Sequence, residues 1–567
     1  MKLVITEKPS VAITIAKVIG ARTRKNGYYE GSGYIVSWCI GHLIQMSNPG
    51  AYDEKYNKWN IEDLPIIPNK YKYEVSKQTK SQFLILKKLM EDKTIDTIIN
   101  ACDAGREGEL IFRLVYNQAK CKKRIQRLWI SSMEDSAIKD GFKNLKNGKD
   151  YEKLFESAET RAIADWLVGM NMSRLYSCKY KQNYSVGRVQ TPTLAMIVER
   201  DQNIENFKRE LYYTLTIQSE DIELTTERID DKEIVINLQN NLPNKLKISN
   251  VLREKKETKP DLPYDLTTLQ RECNKYFGYS AKETLDIAQS LYEKKLITYP
   301  RTDSRYLTTD MITSLTNTIL GKNDFDTKRI KVIFNNEKVT DHHAIIPTTN
   351  GIEKEIKEKL NDKEIKIYNL ITNKLHVSFG YPLIEEKSKV EIKFKDFIFK
   401  ANGKILIDEG FTKYLKEYTN KKEDVILPNL KIGDEIVILE SKINEKYTQP
   451  PKRYTEDSLL KAMEIAGNEE LDKNIEVERQ GIGTPATRAG IIETLINREF
   501  IERNKKELIS TEKGRSLIKI IDDKLKTPKT TAFWEMKLSD ITNSKETKEN
   551  FLNEIEKEIK DILNKNK

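Results

Sequence analysis

Apolar residues recur along the chain with two different periods, and the changes of period divide it into regions. Leu3 to Thr6 is an apolar run of the length of a buried strand, and Val11, Ile15, Val18 and Ile19 then share one face of a helix. Ile95 to Ala101 repeats the strand pattern, and a helix is predicted after it, through about Ala119. Helical periodicity resumes from about Leu154 to Leu175. From about Leu211 to Val251 the pattern becomes strand-like, in YYTLTIQ, KEIVINL and KLKISNV, and it does so again after about Ser378, in KVEIKFKDFIFKANG and DEIVILES. Between these two stretches lies a mainly helical insert, about Asp261 to His376. A β region interrupted by a helical one suggests a lid held at two points. Phe551, Leu552, Ile555, Ile559 and Ile562 predict a final packing helix.

Within the insert, Leu285, Ala288, Leu291, Tyr292 and Leu296 fall on one helical face, and the spacing predicts a helix ended by Pro300. Proline pushes the residue before it, Tyr299, toward extended backbone. Side chains two apart then point the same way, so the Tyr299 hydroxyl and the Arg301 guanidinium face one space. That pairs a nucleophile with a cation suited to a phosphate. A lone Tyr-Pro is most often a buried tyrosine at a turn, so the rest of the chain has to decide.

Glu7 and Asp103 each lie just past the carboxyl end of a predicted strand, where open α/β sheets bind ligands, and Glu107 follows within a turn. Singly, such acids most often cap helices. Together, with Gly105 and Gly108 between them, they read as oxygen ligands for a hard cation such as Mg²⁺. Lys8 faces the same edge and is suited to donate a proton to a leaving oxygen or to touch a phosphate.

SVGRVQTPTL combines Gly187, Arg188, Thr191 and Pro192, with Thr191 as the expected N-cap. Gly483, Thr484, Pro485 and Arg488 repeat the construction in Gln480 to Glu499. A helix N-terminus beside an arginine suits a phosphate, and two of them suggest a track along a nucleic-acid backbone. Trp59, in an aromatic, proline-rich loop, is placed to stack on a base or to anchor the loop. His342 and His343 precede an apolar run without a third metal ligand, which makes zinc improbable. The functional reading of the pair is a phosphate contact near Tyr299.

Composition narrows the class. A chain of 567 residues exceeds one core, and 38% hydrophobic with 32% charged residues describes a globular protein. No stretch is apolar enough to span a bilayer, and MKLVITEKPS turns polar too soon for a signal peptide. The five cysteines are scattered without CxxC, which fits a reducing cytoplasm and no zinc ribbon. A net charge of +10 permits a nucleic-acid partner without demanding one. No nucleotide-binding GxxxxGK[ST] occurs.

Glu7 with the run Asp103-Ala104-Gly105-Arg106-Glu107-Gly108-Glu109 resembles the Toprim domain. Gly105 stands where many relatives carry a second aspartate, which leaves open whether one or two metal ions bind. ITEKPS, DAGREGE, DWLVGMNMSR, SVGRVQTPTL, ITYPRTDS, DHHAIIPT, GFTKYLKEY and GIGTPATR, in this order, resemble the type IA DNA topoisomerases, and most of all the bacterial topoisomerase III branch. The resemblance implies a multidomain α/β plus α and β fold, with a Rossmann-like Toprim domain in a toroidal core. The expected parts are Toprim at 1–150, a helical DNA-binding segment of domain IV at 151–210, and a β-rich arch at 211–260 and 377–448. The lid with its tyrosine falls at 261–376 and the rest of domain IV at 449–567.

By the same resemblance, Tyr299 is the nucleophile, Arg301 binds phosphate and Mg²⁺ sits on Glu7 and Asp103, with Glu107 as a further ligand. DNA contacts fall on Ser185, Val186, Gly187, Arg188, Val189 and Gln190, and on Arg174, His342, Arg488, Trp59 and Trp166. The implied reaction cuts one strand of single-stranded or underwound DNA through a 5′-phosphotyrosine, passes a strand and reseals. It needs no ATP and no zinc, and Mn²⁺ is a substitute for Mg²⁺. A monomer in the bacterial cytoplasm, at the nucleoid or a plasmid, is expected, with a helicase or single-strand-binding protein as partner. The competing readings are a Toprim nuclease or primase, which would use the same acids but not need Tyr299, and a non-catalytic single-strand binder, which would explain the basic turns but not the YPR run beside the acids.

Overall fold

The computed structural model describes residues 1–130, 133, 135–317, 320–321, 325–339, 342–348, 360–419, 423–466 and 481–566. Asp341 and Gln480, both within motifs quoted above, lie outside them. At the amino end, β1 (Lys2–Thr6), α1 (Pro9–Ile19), β2 (Thr23–Lys25), β3 (Tyr28–Gly31) and β4 (Tyr34–Trp38) are followed by α2 (Lys80–Glu91), β5 (Thr97–Ala101), α3 (Arg106–Gln118), β6 (Arg124–Arg127) and β7 (Lys146–Asn147). The strands make one sheet, ordered β2-β3-β4-β1-β5-β6-β7. β1 pairs in parallel with both β4 and β5, so the carboxyl ends of β1 and β5 lie side by side. Alternate side chains feed two layers: Leu3, Ile5 and Ile98 pack with Phe83, Leu86 and Leu110, and Val4 and Ile99 pack with Val11 and Ile15.

Two long helices, α4 (Glu152–Tyr180) and α5 (Gln190–Glu205), lead into an antiparallel sheet. It is built from β8 (Leu211–Gln218), β9 (Glu223–Thr226), β10 (Asn250–Thr258), β11 (Leu383–Phe394), β12 (Phe397–Asp408) and β13 (Glu440–Tyr447), in the order β10-β11-β12-β9-β8-β13. KEIVINL is not a strand here. It forms the helix Lys232–Asn240, because Asp231 accepts from the N–H groups of Glu233 and Ile234 and caps it, while Val235 and Leu238 turn inward.

The helical insert leaves this sheet after β10 and returns at β11. Its main helices are α6 (Leu266–Phe277), α7 (Ala281–Glu293) and α8 (Asp362–Phe379). α7 stops short of Pro300: Lys295 takes a left-handed turn, φ 63°, and ends it. The chain then runs extended, with the Thr298 N–H donating to the Ile346 carbonyl at 2.9 Å. The insert shares one core with the first sheet, in which Val4, Val11 and Ile15 join Leu285, Leu291, Tyr292 and Tyr299.

The C-terminal helices α9 (Glu456–Ile465), α10 (Pro485–Asn497), α11 (Pro528–Thr542) and α12 (Lys548–Asn566) pack with α4 and α5 around Leu167, Met172, Leu194, Leu495, Trp534 and Ile559. They also meet the insert. Arg271 pairs with Asp457 at 2.8 Å, and the Ala281 N–H at the start of α7 donates to Glu456 at 2.6 Å.

Candidate active site

The two sheet-edge acids arise from local geometry. Thr6 ends β1, Glu7 follows it, and Lys8 sits at the N-cap of α1 in extended backbone before Pro9. Asp103 follows β5 by two residues, after Cys102. Gly108 lets α3 start against it, since a Cβ there would lie 2.0 Å from the Asp103 carbonyl oxygen. Glu7 is buried. That burial, then the charge of Asp103, pushes its carboxyl up to about 7, against the pull of Lys8 and Arg301.

Two oxygen ligands whose mutual repulsion a cation would relieve fit a divalent metal such as Mg²⁺. Among the described residues no three His, Cys, Asp or Glu side chains gather as a cage. Glu107 contacts His42, its exposed carboxylate 2.5 Å from His42 Nε2, while its charge still reaches Glu7 and Arg301. Expected as a third ligand, it pairs with His42 in this arrangement and remains beside Glu7.

Tyr299 is buried and donates to Asp103 Oδ2 at 2.7 Å. Its ring packs edge-on to Tyr292 and tilts over His342, with centroids 5.3 and 4.3 Å away. A cation as close as Arg301 favours the phenolate. Its charge does act that way, but burial, Asp103 and Glu7 outweigh it, and the hydroxyl is held well above its ordinary range. The tyrosine is therefore a neutral donor in this closed arrangement. Arg301 keeps its Nε without a hydrogen-bond partner among the described residues, and its charge is coupled to Tyr299, Glu7 and Asp103. His342 Nε2 is 2.5 Å from the Ala104 carbonyl, and burial pushes the ring down to about 4, so it is neutral at pH 7. His343 turns away, its Nδ1 2.8 Å from its neighbour's carbonyl.

The expected DNA-gripping residues divide. In the Ser185–Gln190 run, Val186, Arg188 and Val189 are buried, while Ser185, Gly187 and Gln190 keep some exposure. Thr191 does not cap α5, which starts at Gln190; its hydroxyl accepts from the Gly187 N–H at 3.2 Å and braces the turn. The Arg188 side chain is 2% exposed, with Asp165 at 2.9 Å and Glu535 at 3.0 Å. A buried guanidinium paired with two carboxylates, buried Glu535 and half-exposed Asp165, is not offered to a phosphate here. Arg488 is buried too, donating to the Ile482 carbonyl and the Thr267 hydroxyl, so it joins the C-terminal helices to the insert. Arg174 is buried beneath Trp59, 5.4 Å from its ring centre, with Nε and Nη1 unpartnered among the described residues. Trp59 itself is 48% exposed. Trp166 is half-buried against Tyr52 and Tyr71 and serves as the loop's anchor.

Sequence reasoning missed Arg127. It is fully buried beneath the acid loop and donates to the carbonyls of Asn100, Cys102, Asp103 and Leu128, with Glu109 Oε2 3.2 Å from its Nε. The signal lies in the sequence as an arginine ending the strand next to β5. His42 was missed as well, although it lies just past the carboxyl end of β4, the other neighbour of β1.

Comparison with known proteins gives a consistent result. The profile of the Toprim domain matches residues 2–133, and that of the family described as DNA topoisomerase matches residues 149–553. The chain is 40% identical to DNA topoisomerase 3 of Bacillus licheniformis, over 99% of this chain and 81% of that one. It is 39% identical to DNA topoisomerase 3 of Bacillus cereus, with the same coverage. The solved structure of full-length topoisomerase I from Thermotoga maritima superimposes with a TM-score of 0.77 at 25% identity, covering 100% of this chain and 90% of the other.

Proposed function

Because the chain belongs to the type IA DNA topoisomerases, with its similarity running to the bacterial topoisomerase III branch, we propose that Tyr299, Arg301, Glu7, Lys8 and Asp103 are the groups with which it cuts and reseals DNA. The chain is an isomerase of DNA topology, built on the toroidal core of its family, and DNA is its substrate. The observation that carries the assignment of residues is the Tyr299–Asp103 hydrogen bond, which joins side chains 196 positions apart.

In the reaction proposed, the Tyr299 oxygen bonds to phosphorus and the bond to the 3′-oxygen breaks. The phenol proton passes to Asp103, its present acceptor, and Lys8 supplies a proton to the leaving 3′-oxygen. Arg301 faces the phosphate and balances the charge that builds on its oxygens. Glu7, raised to about 7 by its burial and by the charge of Asp103, is the group that a bound cation would stabilise most. Glu7 and Asp103 would hold Mg²⁺, which when bound supplies positive charge beside the phosphate and eases the repulsion between the two carboxylates. Religation is the reverse, so the bond energy stays in the phosphotyrosine and no ATP is spent.

The division into Toprim 1–150, arch 211–260 and 377–448, lid 261–376 and domain IV 151–210 with 449–567 belongs to the same proposal. It is supported by the changes of core described above. Ser185, Gly187, Gln190 and Trp59 are the DNA contacts this conformation exposes. His342 contributes by positioning, and Arg174 and Trp166 by supporting the Trp59 loop. Work as a monomer in the cytoplasm on underwound DNA, with a helicase or single-strand-binding partner, Mn²⁺ as a substitute and no zinc, completes the reading. Among the described residues no helix is long and apolar enough to cross a membrane.

Negatively supercoiled plasmid incubated with the protein and Mg²⁺, without nucleotide, tests the assignment. Stepwise relaxation by wild type and none by Tyr299→Phe is expected. Relaxation by the variant would overturn it, and nicking alone would favour a Toprim nuclease.

A further inference from the structure

One carboxylate outside the catalytic set gathers three arginines from three separate stretches. Glu535, on α11, is 4% exposed. Its Oε1 lies 3.0 Å from Arg188 and 3.8 Å from Arg161, and its Oε2 lies 3.4 Å from Arg106. Arg106 is the first residue of α3, directly after Gly105 of the acid loop. Arg161 lies on α4, and its charge reaches Glu107. Arg188 belongs to the Ser185–Gln190 run, and one turn before Glu535 on the same helix Thr531 donates to its carbonyl at 2.8 Å. Trp534 lies against the Arg188 guanidinium, 5.2 Å away.

Ion pairs of this kind are weak devices for stability, because burial of the charges offsets their attraction. Their clearest use is to fix one arrangement of the chain. Here the arrangement is the spacing between the acid loop and the Ser185–Gln190 run. Neither belongs to the insert that carries Tyr299.

We propose that Glu535 is a positioning residue for religation: it holds the acid loop and the Ser185–Gln190 run in fixed register while the lid moves. The cut strand has a free 3′-oxygen on this side and a phosphotyrosine on the other. Rejoining requires the 3′-oxygen to return to within bonding reach of phosphorus, and an ångström of misplacement is enough to slow such a step strongly. Cleavage starts from an intact strand, which aligns itself, and depends less on the register. The proposal rests on the assignment of Tyr299 as nucleophile.

The test compares wild type, Glu535→Gln and Arg106→Gln on an end-labelled single-stranded oligonucleotide with Mg²⁺. Binding, adduct formation, the religation rate after a salt chase and thermal stability are measured on each. Religation slowed roughly tenfold in both variants, with adduct accumulating and binding and cleavage within about twofold of wild type, is expected. Arg106→Gln leaves Glu535 with Arg161 and Arg188, and it decides the matter if Glu535→Gln does not fold. Unchanged religation, or binding, cleavage and religation falling together with the melting temperature, overturns the proposal. Wild type lacking an adduct at Tyr299 would instead refute the nucleophile assignment.

Discussion

The Tyr299 hydroxyl and the Asp103 carboxylate, 2.7 Å apart, make one hydrogen bond between the helical insert and the edge of the first sheet. The proposed nucleophile and the proposed acceptor of its proton thus meet across the seam between insert and sheet. Removing the hydroxyl takes away the attacking atom and little surface. Tyr299→Phe is expected to bind single-stranded DNA within about threefold of wild type and to form no covalent adduct on labelled oligonucleotide. Adduct at wild-type level would show that another group attacks.

The two sheet-edge carboxylates separate metal dependence from attack. EDTA is expected to stop relaxation and religation more than initial cleavage, since Tyr299 and Arg301 remain. Glu7→Gln relieves the repulsion by Asp103 while removing one ligand. It should raise the Mg²⁺ needed for half-maximal relaxation by roughly tenfold. A titration curve superimposable on wild type would remove Glu7 from the metal site.

His342 is neutral at working pH because burial holds its ring near 4. Its part is to sit against the Tyr299 ring and the Ala104 carbonyl. His342→Ala should lower the cleavage rate by about tenfold to a hundredfold, while the pH profile between about pH 5.5 and 8 keeps its shape. An inflection near 6.5 that vanishes with the mutation would mean the ring titrates during the reaction.

Glu535 gives an acid-stability prediction of definite sign. Burial would raise its carboxyl, but Arg161, Arg188 and Arg106 outweigh this and hold it at about 2, against an ordinary 4.5. A depressed carboxylate contributes stability above its unfolded value, and the contribution is lost as pH falls from about 4.5 toward 2. This pH-dependent part is separate from the cluster's net contribution, which the cost of burying the charges offsets. Denaturant melts between pH 6 and 3 should show a smaller loss of stability for Glu535→Gln than for wild type; equal slopes would contradict the pairing.

Lys295, four residues before Tyr299 in the insert, pairs with Asp135 of the amino-terminal region at 2.7 Å. Cysteines at these two positions joined by a short bifunctional reagent should leave oligonucleotide cleavage intact and reduce plasmid relaxation at least tenfold, because the passing strand has no gap to enter. Relaxation at the uncrosslinked rate would mean the strand passes elsewhere.

The sequence revealed what is local. Glu7 and Asp103 follow apolar runs that form strands, and Tyr299 and Arg301 share a face because the segment is extended. The partners of long side chains were not legible. Arg188 and Arg488 looked like phosphate ligands beside helix starts, but Glu535 and Thr267 lie hundreds of positions away and claim them. Glu107 stood among acids, and nothing in its own neighbourhood named His42. KEIVINL alternated like a strand, although Asp231 before it was a readable helix cap. The end of α7 was assigned to the conspicuous Pro300 when Lys295 had already turned the chain.

The insert begins and ends on neighbouring strands, with Thr258 paired directly to Leu383 at the end of the β10–β11 ladder. Its two attachment points are therefore already side by side, and joining them requires no long excursion. A tight turn in place of residues 259–382 would complete an ordinary hairpin. Tyr299, the proposed nucleophile, thus rides on a cassette that can be removed or exchanged without rethreading the sheet that carries it. The arch can form its ladder before the cassette has folded.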